Sequence, residues 1–317
     1  MKSLRSKKPR SSARSNAVIS PRTVAKTITD QVIASMLKGV DGWQGSWMNG
    51  YDNGMAHLLP SNAATGKVYS DINRLILSLT VREHRYKVNK WVTYKQAKEE
   101  GWNVAKGQKG TLLTSYIAAK RKSEDGNGQY ESYRFLHSYI VFNVAQLENY
   151  TAKPTVAPKL MYASHNEMIK RIIANTNVTI STKRGKDATY NPTRDTVKMP
   201  PQEAFTSESG YTNTLIRNLI HATAAPNRCN RAYGKHYGDE EAHAREALVT
   251  EIAAAFLCAE TNCVSEALDN QANHINTWVQ LLTSDTNAII EACEDAQKAV
   301  NFMIYGWGSE KKTMKTA

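Results

Sequence analysis

Two stretches of this 317-residue chain carry side chains whose types and spacing could do chemistry. One is TLIRNLIHATAAPNRCNR, followed closely by AREALVTEIAAAFL. On a helix, the pattern H-E-x-x-H sets two histidines one turn apart on a single metal ion, with the intervening glutamate as general base. A glutamate from a following helix can complete the set. His221 stands at the second-histidine position, and Glu251 follows 30 residues later on an amphipathic helix. The first-histidine position, however, is Arg217 and the glutamate position is Asn218. A guanidinium has no lone pair to give a metal, and a carboxamide cannot take a proton from water. No metal and no peptidase activity are therefore expected, and His221 and Glu251 are vestigial positions. Glu251 could pair with Arg217, filling the metal's place with a buried ion pair. His221 then reads as a hydrogen-bonded histidine on a core-facing helix. The alternative is an active zinc enzyme whose site is rebuilt from His221, His236 or His243, and Glu251. Glu246 is also near, but the spacing matches no known ligand pattern.

The other stretch is basic and aromatic. A nucleic-acid single strand is usually held by a cationic groove that follows the phosphates, with aromatic rings on which bases stack. Here Tyr69, Trp91 and Tyr94 are the stacking candidates, and Arg74, Lys95, Lys106 and Lys109 are the candidate phosphate contacts. Further aromatics (Trp43, Trp47, Tyr51, Tyr86, Trp102) and cations (Arg82, Arg85, Lys87, Lys90, Lys98) are interleaved with them. For Trp91 and Trp102, packing in a core is the competing reading. Charge distribution favours an anionic polymer as partner. The net charge is +12; residues 1–26 carry +8, residues 62–122 carry +9, and residues 151–317 sum to zero. A basic tail by itself is also explained by solubility.

The elements that must position these groups can be read from period and punctuation. Residues 1–22, rich in Ser, Lys and Arg, cannot bury enough apolar surface to order themselves and read as a basic arm. A helix is predicted over Thr23 to Lys38 and another over Asp71 to Tyr86. Trp91 opens a short strand, Thr93 caps a helix, and Gly101 ends it. GTLLTSYIAAK and YRFLHSYIVFNVAQLE form two β-rich runs around a polar turn. The linker candidate is residues 151–160, with Pro154 and Pro158. Beyond it, helices are expected over Ser164–Asn175, Tyr211–Ala224, Ala242–Thr261, Glu266–Leu282 and Asp285–Tyr305, with short strands in VTISTKRG and DTVKMP. The acidic run Asp239–Glu241 is explained by the helix dipole.

The fold class is thus α+β: a small α+β nucleic-acid-binding domain over residues 23–150, then a mainly helical domain over residues 161–306, with a fraying tail at 307–317. No apolar run approaches the roughly 20 residues of a membrane span, so no membrane partner is expected. The four cysteines form no C-x-x-C pair, which argues against a disulfide scaffold or a thiolate zinc site and favours a reducing cytoplasm. There is no Walker-type phosphate loop and no nucleophile elbow.

TGKVYSDINRLIL, WVTYKQAKEEGWNVAKGQKGT and YIVFNVAQLE closely resemble the N-terminal domain of ArdC-type antirestriction proteins, a domain shared with TraC-type primases. ATYNPTRDTVKMPPQEAF, YTNTLIRNLIHAT, NRCNR, AREALVTEIAAAFL and NHINTWVQLLTSD resemble, in order, the zincin-like metallopeptidase domain of the same family. The likeness covers roughly residues 25–305. It implies a single-stranded-DNA-binding domain joined to a metallopeptidase-like domain, in proteins of plasmids and phages that protect incoming DNA from host restriction. The implied partners are single-stranded DNA and a host restriction or defence protein. The implied setting is the cytoplasm of a bacterial host or a phage particle, where the arm could pack against genomic DNA. Peptidase activity does not carry over, because Arg217 and Asn218 replace the family's first two motif residues.

Overall fold

The structure, a computed structural model, describes residues 21–38, 59–122, 130–152, 165–185, 187–231, 239–261 and 271–306. The arm up to residue 20, Trp43, Trp47, Tyr51, most of the expected linker, His236 and the tail lie outside the described residues.

The first half is built on a four-stranded sheet of order β1-β2-β4-β3. Its strands are β1 (Ser61–Asn62), β2 (Lys90–Thr93), β3 (Thr111–Lys122) and β4 (Tyr130–Asn143). β3 and β4 make the expected hairpin, with Thr111 opposite Val141 and Lys122 opposite Tyr130. α1 (Pro21–Lys38) and α2 (Asp71–Glu83) pack on this half. α1 starts two residues earlier than expected, at a proline, whose missing N–H has no intrahelical partner to lose. α2 ends at Glu83 rather than near Tyr86, because Arg85 turns into the left-handed region at φ 54°.

Beyond residue 164 come α4 (His165–Thr176), α5 (Glu208–Ala222), α6 (Glu240–Thr261), α7 (Gln271–Ser284) and α8 (Ala288–Tyr305). The short helix α3 (Tyr94–Glu99) belongs to the first half. α8 begins three residues later than expected: the Asp285 carboxylate accepts from the Asn287 N–H at 2.9 Å, which makes residues 285–287 a turn. A second sheet runs β5-β7-β6, from β5 (Thr179–Thr182), β6 (Thr189–Asn191) and β7 (Thr196–Met199). β6 carries no strand signal in the sequence; it forms because the turn at Asp195, with φ 46°, folds TYN back onto β7.

One apolar cluster runs through both halves. Val24, Ile28 and Val32 of α1, Leu75 and Ile76 of α2, Ile252 and Phe256 of α6, and Cys293 and Met303 of α8 all belong to it. The Thr29 hydroxyl donates to the Thr286 carbonyl at 2.7 Å, tying α1 to the start of α8. A smaller cluster of Val92, Ala97 and Trp102 sits under α3. Fully burying one Leu or Ile side chain contributes about 1.5–3 kcal/mol, so helices from both halves depend on one core.

Candidate functional site

α5 carries the degenerate motif. It starts cleanly, because the Ser207 hydroxyl caps it by accepting from the Gly210 N–H at 2.9 Å. Its Leu215, Ile216, Leu219 and Ile220 are buried, which presses the helix against α6 and puts Arg217 inside the molecule. Arg217 meets Glu251 of α6 as a fork: Nε to Oε1 at 3.0 Å and Nη2 to Oε2 at 3.3 Å. Both side chains are less than a tenth exposed. Asn218 turns its Nδ2 back to the Thr214 carbonyl at 2.9 Å. The pairing that the sequence left as an option is therefore present, and both oxygens of Glu251 are engaged by the guanidinium.

His221 faces a second network. Its Nδ1 lies 3.3 Å from Glu246 Oε1 and 3.2 Å from the Thr250 hydroxyl. Glu246 is itself held by Arg231, with Nε to Oε2 at 2.9 Å and Nη2 to Oε1 at 2.7 Å. Burial works against ionisation of Glu246, but the Arg231 charge and hydrogen bonds, helped by His221, outweigh it and leave the carboxyl below its ordinary range. Arg231 also donates to the Ile220 carbonyl at 2.9 Å, and Arg228 donates to the Ala222 carbonyl at 2.9 Å. Arg228 is anchored in turn by both oxygens of Asp195, each at 2.8 Å. The two arginines of NRCNR thus satisfy carbonyls at the C-terminal end of α5, where cations are favoured. Sequence reading assigned them no role. The available signal was two arginines just beyond a helix end.

These residues do not fit a catalytic metal. Such a site needs about three protein ligands and an open position. Here a permanent cation holds the glutamate that would be a ligand, and an amide stands in for the base. Among the described residues, no group of three His, Cys, Asp or Glu side chains could hold a metal ion. His243 is exposed at the start of α6, and His236 lies outside the described residues.

In the first half, the expected interface is only partly at the surface. Two candidates are corrected by burial. Trp91 has no exposed surface; its indole N–H donates to Asn89 Oδ1 at 2.7 Å and its ring meets Tyr86 edge-on at 6.0 Å. It is a core residue and cannot stack on a base. Arg74 is 3% exposed. It binds Glu260 at 3.0 Å and the Phe256 carbonyl at 2.8 Å, with its guanidinium 4.4 Å from the centre of the Phe256 ring. It joins α2 to α6 and cannot reach a phosphate. Trp102 is also core, edge-on to Tyr150 at 4.9 Å.

The remaining candidates are better placed. Tyr94, the first residue of α3, is 62% exposed. Lys95 is exposed and pairs loosely with Glu99 at 3.8 Å. Lys106 and Lys109 are exposed, and among the described residues no carboxylate pairs with either. Tyr69 is half-buried against the main core, and its hydroxyl accepts from Asn62 Nδ2 at 3.2 Å. Burial raises its pKa.

Carboxamides hold this surface in place, and the search for rings and cations passed over them. Asn62 accepts from the N–H groups of Ala64 and Thr65, each at 3.0 Å, and donates to Gln96 Oε1 at 3.0 Å. Gln96 and Thr93 form the capping box that starts α3 under Tyr94. Gln146 donates to the Lys109 carbonyl at 2.8 Å and to Gln108 Oε1 at 3.1 Å, which fixes the loop that carries Lys109.

Comparison with known proteins agrees with both halves. Residues 22–142 match the N-terminal domain of the anti-restriction factor ArdC, and residues 167–295 match the zincin-like metallopeptidase family. The uncharacterised protein y4eC of Sinorhizobium fredii is 30% identical over 89% of this chain and 92% of its own length. A DNA primase TraC of Escherichia coli is 28% identical, but this chain spans only 26% of it. Crystal structures of the antirestriction ArdC protein from plasmid R388, one metal-free and one Mn(II)-bound, are 30% identical to this chain. Their TM-scores are 0.71 and 0.72, with 88% of this chain and 96% of that one covered in each case. With a fold, a domain order and a sequence shared over nearly the whole length of a solved relative, this chain belongs to the ArdC family of antirestriction proteins.

Proposed function

We propose that this protein binds single-stranded DNA through its first half, as an antirestriction factor of a plasmid or phage. Its zincin-like half would serve as a scaffold or a protein-binding surface without peptidase activity. The observation that carries the reading is the contrast in how charge is used. The first half leaves Lys106 and Lys109 in solvent with no paired carboxylate among the described residues, while the second half locks Arg217, Arg228 and Arg231 onto carboxylates. Solvent-facing cations on the half that also exposes Tyr94 and Tyr116 suit an anionic polymer with unpaired bases. The protein would act in the cytoplasm of a bacterial host.

A metal-dependent reading has one observation behind it, the Mn(II)-bound relative. Against it stands Arg217, which brings a fixed positive charge to the place of a cation and holds Glu251 with both forks. The test of the DNA reading is a fluorescence-anisotropy titration of the full chain with labelled single strands and duplexes of the same sequence at two salt concentrations. Tighter binding of the single strand, weakening by about 0.7 logarithmic units per phosphate contact for each tenfold rise in salt, is the expected result. Equal affinity for both forms would overturn it.

A further inference from the structure

The first sheet has two unlike faces. Strand register puts Trp91, Leu113, Tyr139 and Val141 on one side, in or against the main core. On the other side lie Val92, Phe142, Ile140, Leu112, Leu136 and Tyr116, with Val92 opposite Phe142, Leu112 opposite Ile140, Tyr116 opposite Leu136, and the polar pair Thr114 and Ser138 between the last two. On this second face Val92 packs under α3 with Trp102, Leu112 and Leu136 touch the main core, and Thr114 is buried. Farther along, Ile140 is 51% exposed and Tyr116 is 42% exposed. Leu112, Leu136 and Phe142 are half-buried between them. At about 3.4 Å per residue, the ledge from Leu112 to Tyr116 runs about 14 Å, room for more than one base.

The ledge has a cationic rim. A side chain at Gly110 would collide with Ile140, and its Cβ would sit 3.1 Å from the Phe142 ring, so the backbone next to Lys109 lies directly against the ledge. Gln146 fixes that backbone through the Lys109 carbonyl at 2.8 Å. Lys106, in the same loop, is also exposed. Exposed Ile140 and Tyr116 on one face, with Lys109 beside Ile140 and no carboxylate among the described residues paired with it, match a ligand with flat apolar faces and an anionic backbone. A purely apolar protein partner would leave those lysines uncompensated.

Resting on the DNA reading above, we infer that the outer face of the β3–β4 hairpin is the base-stacking platform for single-stranded DNA, with Tyr116 and Ile140 beneath the bases and Lys109 on the phosphates. This moves the stacking surface from Trp91, which is buried, to residues that sequence inspection did not select.

The test titrates labelled oligothymidylate with the full chain and its variants Tyr116→Ala, Tyr116→Phe, Ile140→Glu, Lys109→Gln and, as a control far along the chain, Lys170→Gln. Since stacking is worth about 1–3 kcal/mol per base, Tyr116→Ala should weaken binding about five- to a hundredfold, and Ile140→Glu by about as much. Tyr116→Phe keeps the ring and should bind as wild type. Lys109→Gln should make the salt slope shallower by about 0.7, with Lys170→Gln unchanged. Thermal melts of each variant separate lost binding from lost folding. If wild type prefers single strands and all the ledge variants bind equally well, the platform assignment fails while the DNA reading stands, and the ledge belongs to a protein partner. If wild type shows no preference for single strands, the DNA reading fails and takes the platform with it.

Discussion

Lys109 and Arg217 are both cations next to apolar surface, and their surroundings could hardly differ more. Lys109 is exposed in a loop held by a carboxamide, and among the described residues no carboxylate pairs with it. Arg217 is buried and shares both oxygens of Glu251. The same split separates Lys106 from Arg231. A charge left in water without a partner costs little and remains available to a ligand. A charge taken into the interior must be matched there, and what matches it is no longer available for chemistry. In the zincin-like half, Arg217, Arg228 and Arg231 are each matched by a carboxylate.

Removing one partner of the inner pair should produce the largest effect. Arg217→Ala would leave Glu251 buried and uncompensated, at a cost of about 3–5 kcal/mol. Arg217→Met with Glu251→Leu removes both charges and should recover most of that loss. Chemical denaturation of the three proteins checks it. A double variant no better than the single one would mean that the pair is not what holds α5 to α6.

Acid should find the same region next. Glu246 titrates below its ordinary range in the folded protein because Arg231 and His221 stabilise its charge against the pull of burial, and the Arg228 hydrogen bond lowers Asp195 likewise. Their contribution to stability is therefore complete above the ordinary carboxylate range, roughly pH 4.3 for glutamate. It is lost as pH falls through the lower folded values. Thermal midpoints should stay level from pH 7 to about pH 5 and drop below about pH 4. Glu246→Gln should lower the midpoint at neutral pH and make the acid drop shallower; an unchanged acid drop would place the pH sensitivity elsewhere.

The smallest effect concerns the solvent-facing charge. Residues 1–20 hold six basic residues and end where α1 begins. Deleting them should leave the melting point in place while making the salt slope of single-strand binding shallower. An unchanged slope would show that the arm does not contact DNA.

What the sequence disclosed follows from how far apart the interacting residues are. The cap and stop from Thr93 to Gly101 are legible because their contacts are local: Thr93 and Gln96 cap each other, and Gly101 takes φ 76°. The Arg217–Glu251 pair spans 34 residues, and it could be anticipated only because a known motif supplies the spacing. Arg74 and Trp91 were read wrongly because basic and aromatic residues look alike in sequence whether they face water or a neighbouring helix. Arg74 became internal when α6 brought Glu260 and Phe256 to it, nearly 190 residues away in the chain. The exposed hairpin residues were hidden for a related reason: alternating apolar residues predict a buried face, and only the packed sheet shows that Ile140 and Tyr116 stay exposed on it.

We propose that the Arg217 guanidinium stands where an H-E-x-x-H site would hold its metal. Elemental analysis of the purified protein, after exposure to zinc or manganese and desalting, tests it most directly. The account predicts no stoichiometric metal in wild type. It predicts that Arg217→His combined with Asn218→Glu regains metal by freeing Glu251 and restoring H-E-x-x-H. One ion per wild-type chain, lost on His221→Ala, would contradict it and show that the second half still holds a metal beside Arg217.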